Sequence, residues 1–310
     1  MATSKSGSKA SAAKKTTAKK STRSTSTTKV TTKTITAEAP ASRSVFKKAS
    51  GEPNYPAIII AEVIGTFMLT MVALLTLQET AALYVGLTLA VAVLAIGAVS
   101  GSHINPAVTF GLWSARKLKA ALVPVYWIAQ FVGAILAILL LGALNGAGYP
   151  LDFSHFGTIH WGVLAAELVG TAIFLFGLMA ALNSEKLSQS GKAFSIGLSL
   201  TIGVLVSTTA LTTLQSAKAA EYQKQQSSQT SAEKEVTIPA ELYVKGTTLN
   251  PAVALAATEY TQSQLSQMPA ANTEARHSRL GLEVILGTLI GAALGANLYV
   301  LLAYVQRQQS

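Results

Sequence analysis

Cysteine is absent from this sequence of 310 residues. The absence excludes a disulfide framework, a thiolate nucleophile and zinc sites that use cysteine. Charge is also scarce, because charged residues make up 12% of the chain, about half of the share that is usual in soluble proteins. Hydrophobic residues make up 50%, and the mean hydropathy is +0.42. This composition indicates a membrane protein.

The net charge of +10 is confined to one end of the chain. Residues 1–56 contain 12 Lys and Arg against 2 Asp and Glu, whereas the rest contains 12 of each sign. Residues 1–55 are rich in Ser, Thr, Lys and Ala and have no apolar periodicity, so we expect a disordered basic tail and no secretory signal. Anionic lipid is the favoured partner of such a tail. Nucleic acid is the disfavoured alternative, because the first aromatic residue is Phe46.

Six apolar segments follow the tail, and each has about the 20 residues that a helix needs to cross a bilayer. They cover residues 56–77, 81–100, 121–144, 161–182, 193–214 and 281–305. An even number of spans places both termini on one side, and the basic tail makes that side cytoplasmic. We therefore expect a multi-pass protein, most simply of the plasma membrane.

The second half of the apolar region repeats the first. "AEVIGTF" at 61–67 returns as "AELVGTA" at 166–172. Each repeat contains three spans, which is an odd number, so the second repeat enters the membrane from the opposite face. We place the repeats at about 56–145 and 161–305, within a channel-like domain, and interpret the polar stretch 215–245 as an inserted external loop.

The tripeptide Asn-Pro-Ala occurs once in each repeat. The copies consist of Asn105, Pro106 and Ala107, and of Asn250, Pro251 and Ala252. Asn is a preferred helix N-cap and Pro suits the first helical position, so each copy predicts a helix start. The helices would end near Ser114 and Thr258, which leaves each about 8 or 9 residues long, too short to cross a bilayer alone. Entering from opposite faces, they would form one broken span.

The paired Asn-Pro-Ala motifs, the "AExxGT" motif of each repeat and "GSHINPAVTFG" resemble the aquaporin (major intrinsic protein) family. The resemblance covers about residues 56–305, without the stretch 215–245. It implies an all-α membrane fold with six transmembrane helices, two re-entrant half-helices, one pore per subunit and a homotetramer, without a cofactor. It also implies a passive channel for water, for small uncharged solutes such as glycerol, or for both.

Residue chemistry explains how such a channel excludes protons and ions. Each capping Asn accepts a backbone N–H through its side-chain oxygen, so we expect the NH₂ groups of Asn105 and Asn250 to point into the lumen. A water molecule held there by its oxygen donates in both outward directions, which interrupts a chain of proton transfer. The positive ends of the two half-helices repel cations.

Three further positions in the membrane carry polar groups. Glu62 and Glu167 occupy equivalent places in the repeats, and the resemblance implies that each accepts hydrogen bonds from a re-entrant loop. No nucleophile, metal cluster or phosphate loop accompanies them, so we expect neither an enzyme nor a metal site. His103, two residues before Asn105, is interpreted either as a pore-lining donor near the cytoplasmic mouth or as a structural residue.

The outer constriction departs from the family pattern. Val253 follows the second Asn-Pro-Ala where most members have Arg, and Val85 and Val204 align with the usual aromatic and His positions. We therefore expect a wider and more apolar constriction, with the choice between water and small neutral solutes left open. Lys245 and Arg276 are the candidates for replacing the missing charge. A secondary transporter and a membrane scaffold remain the alternative functions.

Overall fold

The computed structural model describes residues 53–146, 149–228, 237–266 and 276–309. The predicted basic tail up to residue 52 and the middle of the stretch 215–245 lie outside these ranges. Within them the chain forms nine α-helices and two short 3₁₀ turns. The helices are α1 (Tyr55–Leu75), α2 (Gln78–Ser100), α3 (Pro106–Ser114), α4 (Val123–Leu144), α5 (Trp161–Asn183), α6 (Gln189–Ser228), α7 (Pro251–Ala256), α8 (Gln262–Ser266) and α9 (Leu282–Gln309).

Six of the described helices are long and apolar enough to cross a membrane: α1, α2, α4, α5, α6 and α9. Large hydrophobic side chains such as Ile60, Leu139 and Leu301 are exposed on their outer faces, as expected for surfaces in contact with lipid. The predicted all-α fold with six transmembrane helices is confirmed, and the protein is a multi-pass integral membrane protein.

Local sequence explains where the helices begin and end. Asn54 caps α1 by accepting a hydrogen bond from the backbone of Ala57, and Pro56 lies in the first turn. Helix α2 ends at Ser100, and the next residue, Gly101, has a positive φ of 85° that lets the backbone turn away without a steric penalty. The chain after Gly101 can therefore fold back towards the start of α3.

Helix packing follows the two repeats. In the first repeat α1 packs against α2 and α4, and in the second α5 packs against α6 and α9. Helices α2 and α6 meet across the centre. The short helix α3 packs against α4 and α9, and α7 packs against α4 and α1. Each short helix therefore contacts the last long helix of the other repeat, which brings the two Asn-Pro-Ala motifs together.

Two expected boundaries are wrong. The stretch 215–245 is not a loop throughout, because α6 continues as a helix to Ser228. Its Ala, Gln, Glu and Lys residues are good helix formers, and neither Gly nor Pro interrupts them. Helix α7 ends at Ala256, two residues before the predicted end, because Ala257 is extended and Thr258 forms a bridge with Ser278.

Glycines allow α5 and α9 to approach closely. Gly287, Gly291 and Gly295 recur every four residues on α9, a spacing that suits helix contacts in lipid. A Cβ atom at these positions would collide with backbone carbonyl oxygens of α5, those of Leu164, Leu168 and Ala172. Backbone atoms within a helix cannot rotate away from an added Cβ atom as the end of a flexible side chain can.

We expect Gly291→Ala to reduce the free energy of unfolding by about 1–3 kcal/mol, the usual cost of overpacking. Gly162→Ala in α5 is the matched control, because its added Cβ would meet only the flexible end of the Leu214 side chain. Unfolding of both variants in detergent, followed by circular dichroism, measures the difference. Equal stability of the two variants would contradict a tight α5–α9 contact.

Candidate functional site

The two Asn-Pro-Ala motifs begin the short helices α3 and α7. The side-chain oxygen of Asn105 accepts a hydrogen bond from the backbone N–H of Ala107 at 2.8 Å. The side-chain oxygen of Asn250 accepts from Ala252 at 3.0 Å and from Val253 at 3.4 Å. Both asparagines have extended backbones, as N-cap residues do, and a proline follows each.

The side-chain nitrogens of the same two asparagines join the loops to each other. Asn105 Nδ2 donates to the carbonyl oxygen of Leu249 at 2.8 Å, and Asn250 Nδ2 donates to that of Ile104 at 3.0 Å. An amide NH₂ has two hydrogens, so each asparagine keeps one for another acceptor. The expectation that the whole NH₂ group points into the lumen therefore needs correction: half of its donor capacity binds the opposite loop.

The accepting carbonyls belong to residues with an unusual backbone. Ile104 has φ of 40° and Leu249 has φ of 51°, a left-handed conformation that is rare for side chains of this size. Such a residue costs on the order of 1–3 kcal/mol and persists only where surrounding contacts hold it. Both residues directly precede a capping Asn, so the strain is placed symmetrically in the two repeats.

Buried carboxylates bind the strained loops. Glu62 accepts hydrogen bonds from the backbone N–H of His103 at 2.9 Å and of Ile104 at 2.6 Å. The hydroxyl of Ser100 and the side-chain amide of Gln130 also donate to it. All four donors are neutral and, together, they compensate for removing the carboxylate from water.

Glu167 repeats this arrangement in the second half. It accepts from the backbone N–H of Thr248 at 3.0 Å and of Leu249 at 2.9 Å. The hydroxyl of Thr248 donates at 3.3 Å. In place of a neutral amide, a guanidinium lies near this carboxylate, with Arg279 Nη2 at 3.8 Å from Glu167 Oε1. The second half therefore brings a permanent charge close to its loop.

His103 is buried beside the first loop. Its ring stacks on that of Tyr126, with centroids 4.2 Å apart, and its Nδ1 is 3.1 Å from the hydroxyl oxygen of Thr109. Of the two roles considered from sequence, these contacts favour the structural one.

The three valines of the predicted constriction line the same cavity. Val85, Val204 and Val253 come from α2, α6 and α7 and contribute to the wall of a space of about 670 Å³. Val253 and Val204 are buried, and Val85 is partly buried. Thr247 and Thr248 line the same cavity, which therefore reaches the loop that Glu167 binds.

Lys245 and Arg276, the two candidates for replacing the charge that is missing at position 253, have different surroundings. Lys245 lines the cavity, and its ammonium donates to the Thr258 hydroxyl and lies 5.3 Å from the centre of the Tyr260 ring. Burial lowers the pKa of Lys245, and the nearby Arg276 lowers it further. Arg276 itself is exposed and lies over the ring of Tyr149.

Sequence reasoning missed a third cation, Arg279. Its side chain is 3% exposed, and it lines the same cavity as the valines. One signal was present in the sequence. Glu283 follows four residues later, at the start of an apolar span, and a carboxylate there requires a partner.

Comparison with known proteins gives a family. The family model described as "Major intrinsic protein" matches residues 49–221. Aquaporin AqpM of Methanothermobacter marburgensis is 33% identical over 121 residues, which cover 37% of this chain and 49% of that protein. Aquaporin Z of Photorhabdus laumondii is 33% identical over 175 residues, which cover 48% of this chain and 75% of that protein.

A solved structure shares the fold. The aquaglyceroporin from Plasmodium falciparum aligns with a TM-score of 0.50 and 19% identity, over 79% of this chain and 95% of that one. The chain spans about half of the length of the AqpM relative. The family model matches more than half of the 310 residues, and it includes both the first Asn-Pro-Ala motif and the two "AExxGT" motifs. The chain is therefore a member of the major intrinsic protein family.

Proposed function

We propose that the protein is a passive channel for water and small uncharged solutes. The observation that carries the proposal is the double role of each Asn side chain. Its oxygen caps its own short helix, α3 or α7, and its nitrogen donates to a carbonyl of the opposite loop. The names of the similar aquaporins and of the aquaglyceroporin support a channel for such molecules. Within the described residues, no group of His, Asp and Glu is arranged to hold a metal ion.

In this proposal the free N–H of Asn105 and that of Asn250 bind the oxygen of one passing molecule. Binding the oxygen from two sides orients a water so that its own hydrogens point outwards, which interrupts proton transfer. Glu62 and Glu167 maintain the loops that present these donors. We assign them a structural role, because their hydrogen bonds and ion pairs within the described part of the chain are with a loop, a neighbouring side chain or Arg279.

The proposal also covers the membrane setting. Both termini are assigned to the cytoplasmic side of the plasma membrane, because the basic residues of the tail favour that side. The subunits are assigned to a homotetramer by family resemblance, and the tail to anionic lipid. Chemical crosslinking in membranes and protease access to the tail in oriented vesicles test these assignments.

The test of function is permeability of the full-length protein in liposomes. We expect water and glycerol to cross faster than in empty liposomes, without dependence on an ion gradient, as measured by stopped-flow light scattering. Flux that requires a sodium or proton gradient and saturates with it would favour a secondary transporter. Flux equal to that of empty liposomes would overturn the proposal.

Val253→Arg is expected to lower the ratio of glycerol to water permeability by about tenfold, a barrier difference near 1.4 kcal/mol. The reason is that Arg adds bulk and a rigid set of donors to an apolar part of the wall. Val253→Met is the matched control, because it adds length without charge. An unchanged ratio in folded Val253→Arg would show that this residue does not face the permeation route.

The absence of cysteine predicts insensitivity to mercury, since Hg²⁺ blocks through thiolates. Thr247→Cys should create sensitivity, because Thr247 lines the cavity beside the valines. Thr213→Cys is the control, placed at an exposed position of α6 outside the described cavity wall. Water permeability is measured before and after HgCl₂ and again after a reducing agent. If Thr247→Cys is labelled but not blocked, the cavity is not the route.

A further inference from the structure

The connection between α4 and α5 carries two histidines that contact carboxylates of other segments. Nδ1 of His155 lies 3.0 Å from Glu259 Oε2, in the segment that follows α7. Nδ1 of His160 lies 3.0 Å from Glu283 Oε2, in the first turn of α9, and the backbone N–H of His160 donates to the same oxygen at 2.8 Å. We name residues 152–160 the strap, because these contacts tie the connection to two segments of the second repeat.

A third histidine packs on the strap. The ring of His277 stacks on that of His155, with centroids 3.8 Å apart and an angle of 11° between the planes. Nδ1 of His277 lies 3.4 Å from Asp152 Oδ2. Hydrogen bonds from Ser154 lower the pKa of Asp152, and positive charge on the two histidines lowers it further. Each ring of the stack therefore has a carboxylate of its own.

Without protonated histidines, the contacts of the strap have an excess of negative charge. Nη1 of Arg279 donates to Glu283 at 2.9 Å and lies 3.8 Å from Glu259. Its Nη2 lies 3.8 Å from Glu167. All three carboxylates are buried, so a single guanidinium faces three carboxylates away from water. Protonation of the two strap histidines adds two positive charges in contact with these carboxylates, and the group is then neutral.

The charge of a histidine depends on pH in the physiological range, since an imidazole in water has a pKa of about 6.5. In mildly acidic solution the strap is therefore held by ion pairs. At higher pH a neutral ring still donates one N–H, but its positive charge is lost, and buried carboxylates without matching cations are costly. The contacts of the strap are thus strongest in acid and weaken as the pH rises.

The stacked rings oppose this dependence only in part. Two protonated rings with centroids 3.8 Å apart repel each other. Glu259 and Asp152 lie closer to their respective rings, at 3.0 and 3.4 Å. Because the Coulomb energy grows as the distance shortens, the attraction to two carboxylates exceeds one repulsion between the rings.

The other charged side chains on the elements beside the strap and the start of α5 nearly balance. They are three cations and two carboxylates, which leave one positive charge, and they come from the segment before α9, the region before α7 and the end of α6. This remaining positive charge works against protonation of the rings, whereas the direct contacts with carboxylates work for it. The five side chains are Arg276, Lys245, Lys218, Glu241 and Glu221.

The segments that the strap holds form part of the cavity wall. Thr258, next to Glu259, and Arg279 line the cavity with the three valines, and so does Tyr149, just before the strap. A backbone hydrogen bond of 2.9 Å from Asp152 N–H to the carbonyl of Arg276 sets the register of the strap. That bond does not depend on pH, so the histidine contacts are the part that does.

We propose that the strap is a pH-sensitive clamp on the cavity wall, fastened when His155 and His160 are protonated and loosened when they are neutral. The structure, with the strap in contact and a cavity of about 670 Å³, represents the fastened form. Loosening releases the wall at Thr258 and Arg279, so permeation falls as the pH rises. The inference rests on the proposed channel function and adds control by pH to it.

The first test is the water permeability of the full-length protein in liposomes, with the same buffer inside and outside, between about pH 5.5 and about pH 8.5. We expect permeability to fall about two- to fivefold over this range, the scale of one partly exposed ion pair. The double variant His155→Gln with His160→Gln cannot be protonated at these positions, so its permeability should not change with pH.

Glu259→Gln is the second variant, for the case that the double variant does not fold. It removes the carboxylate that His155 contacts and should weaken the pH dependence. Glu221→Gln is the matched control, because it makes the same change in an exposed ion pair with Lys218 that involves no histidine. This control should keep the pH profile of the wild type.

A spin label on the strap gives a test that does not depend on flux. The chain has no cysteine, and a Cβ atom added at Gly157 would meet no atom within 4 Å. A nitroxide attached to Gly157→Cys should be more mobile at about pH 8.5 than at about pH 5.5. The difference should disappear when His155→Gln and His160→Gln are added.

Three results would overturn the clamp while leaving the channel function intact. They are equal mobility of the label at both pH values, permeability that rises or stays constant with pH in the wild type, and a wild-type pH profile in the double variant. Absence of flux at every pH would overturn the channel function instead. The label would still report on the strap in that case, so the two failures are distinguishable.

Discussion

The structure depends on the reciprocal hydrogen bonds between the two Asn-Pro-Ala loops. Asn105 binds the carbonyl of Leu249, and Asn250 binds that of Ile104. Each asparagine also caps its own helix. Neither short helix spans the bilayer, so the irregular backbone at their junction has to satisfy its polar groups within the protein. The reciprocal bonds do this for both loops at once.

The carbonyls are in place because the residues that carry them are held in a strained conformation. Glu62 and Glu167 each bind two consecutive backbone N–H groups just before a capping Asn. Removing two carboxylates from water without hydrogen-bond donors would cost much free energy. Several donors offset that cost, and the same donors fix the loop, so the stability of the buried acid and the shape of the site have one cause.

The two repeats differ where their surroundings differ. Glu62 accepts further hydrogen bonds from the neutral side chains of Ser100 and Gln130, whereas Glu167 has the charged Arg279 nearby. The second repeat therefore supplies the arginine beside the site, whereas residues of both repeats line the cavity with the three valines. Two similar loops thus have different charged surroundings.

Much of this was determined by the sequence alone. Span length, Asn-Pro capping and the internal repeat act over a few residues or one helix, so they predicted six spans, two short helices and the equivalence of Glu62 and Glu167. The absence of Arg at position 253 was also plain from the sequence.

Only the tertiary structure decided the partners across the chain. The bond from Asn105 to Leu249 joins residues 144 positions apart, and no local pattern encodes such a pairing. The same holds for Arg279, which lines the same cavity as Val253 because the segment before α9 attaches to the end of α7. The spacing to Glu283 indicates a partner for the arginine, but not that Arg279 also lies 3.8 Å from Glu167. Hydrophobic periodicity specifies which face of a helix is buried, whereas the contacts of a buried charge depend on how all the helices pack.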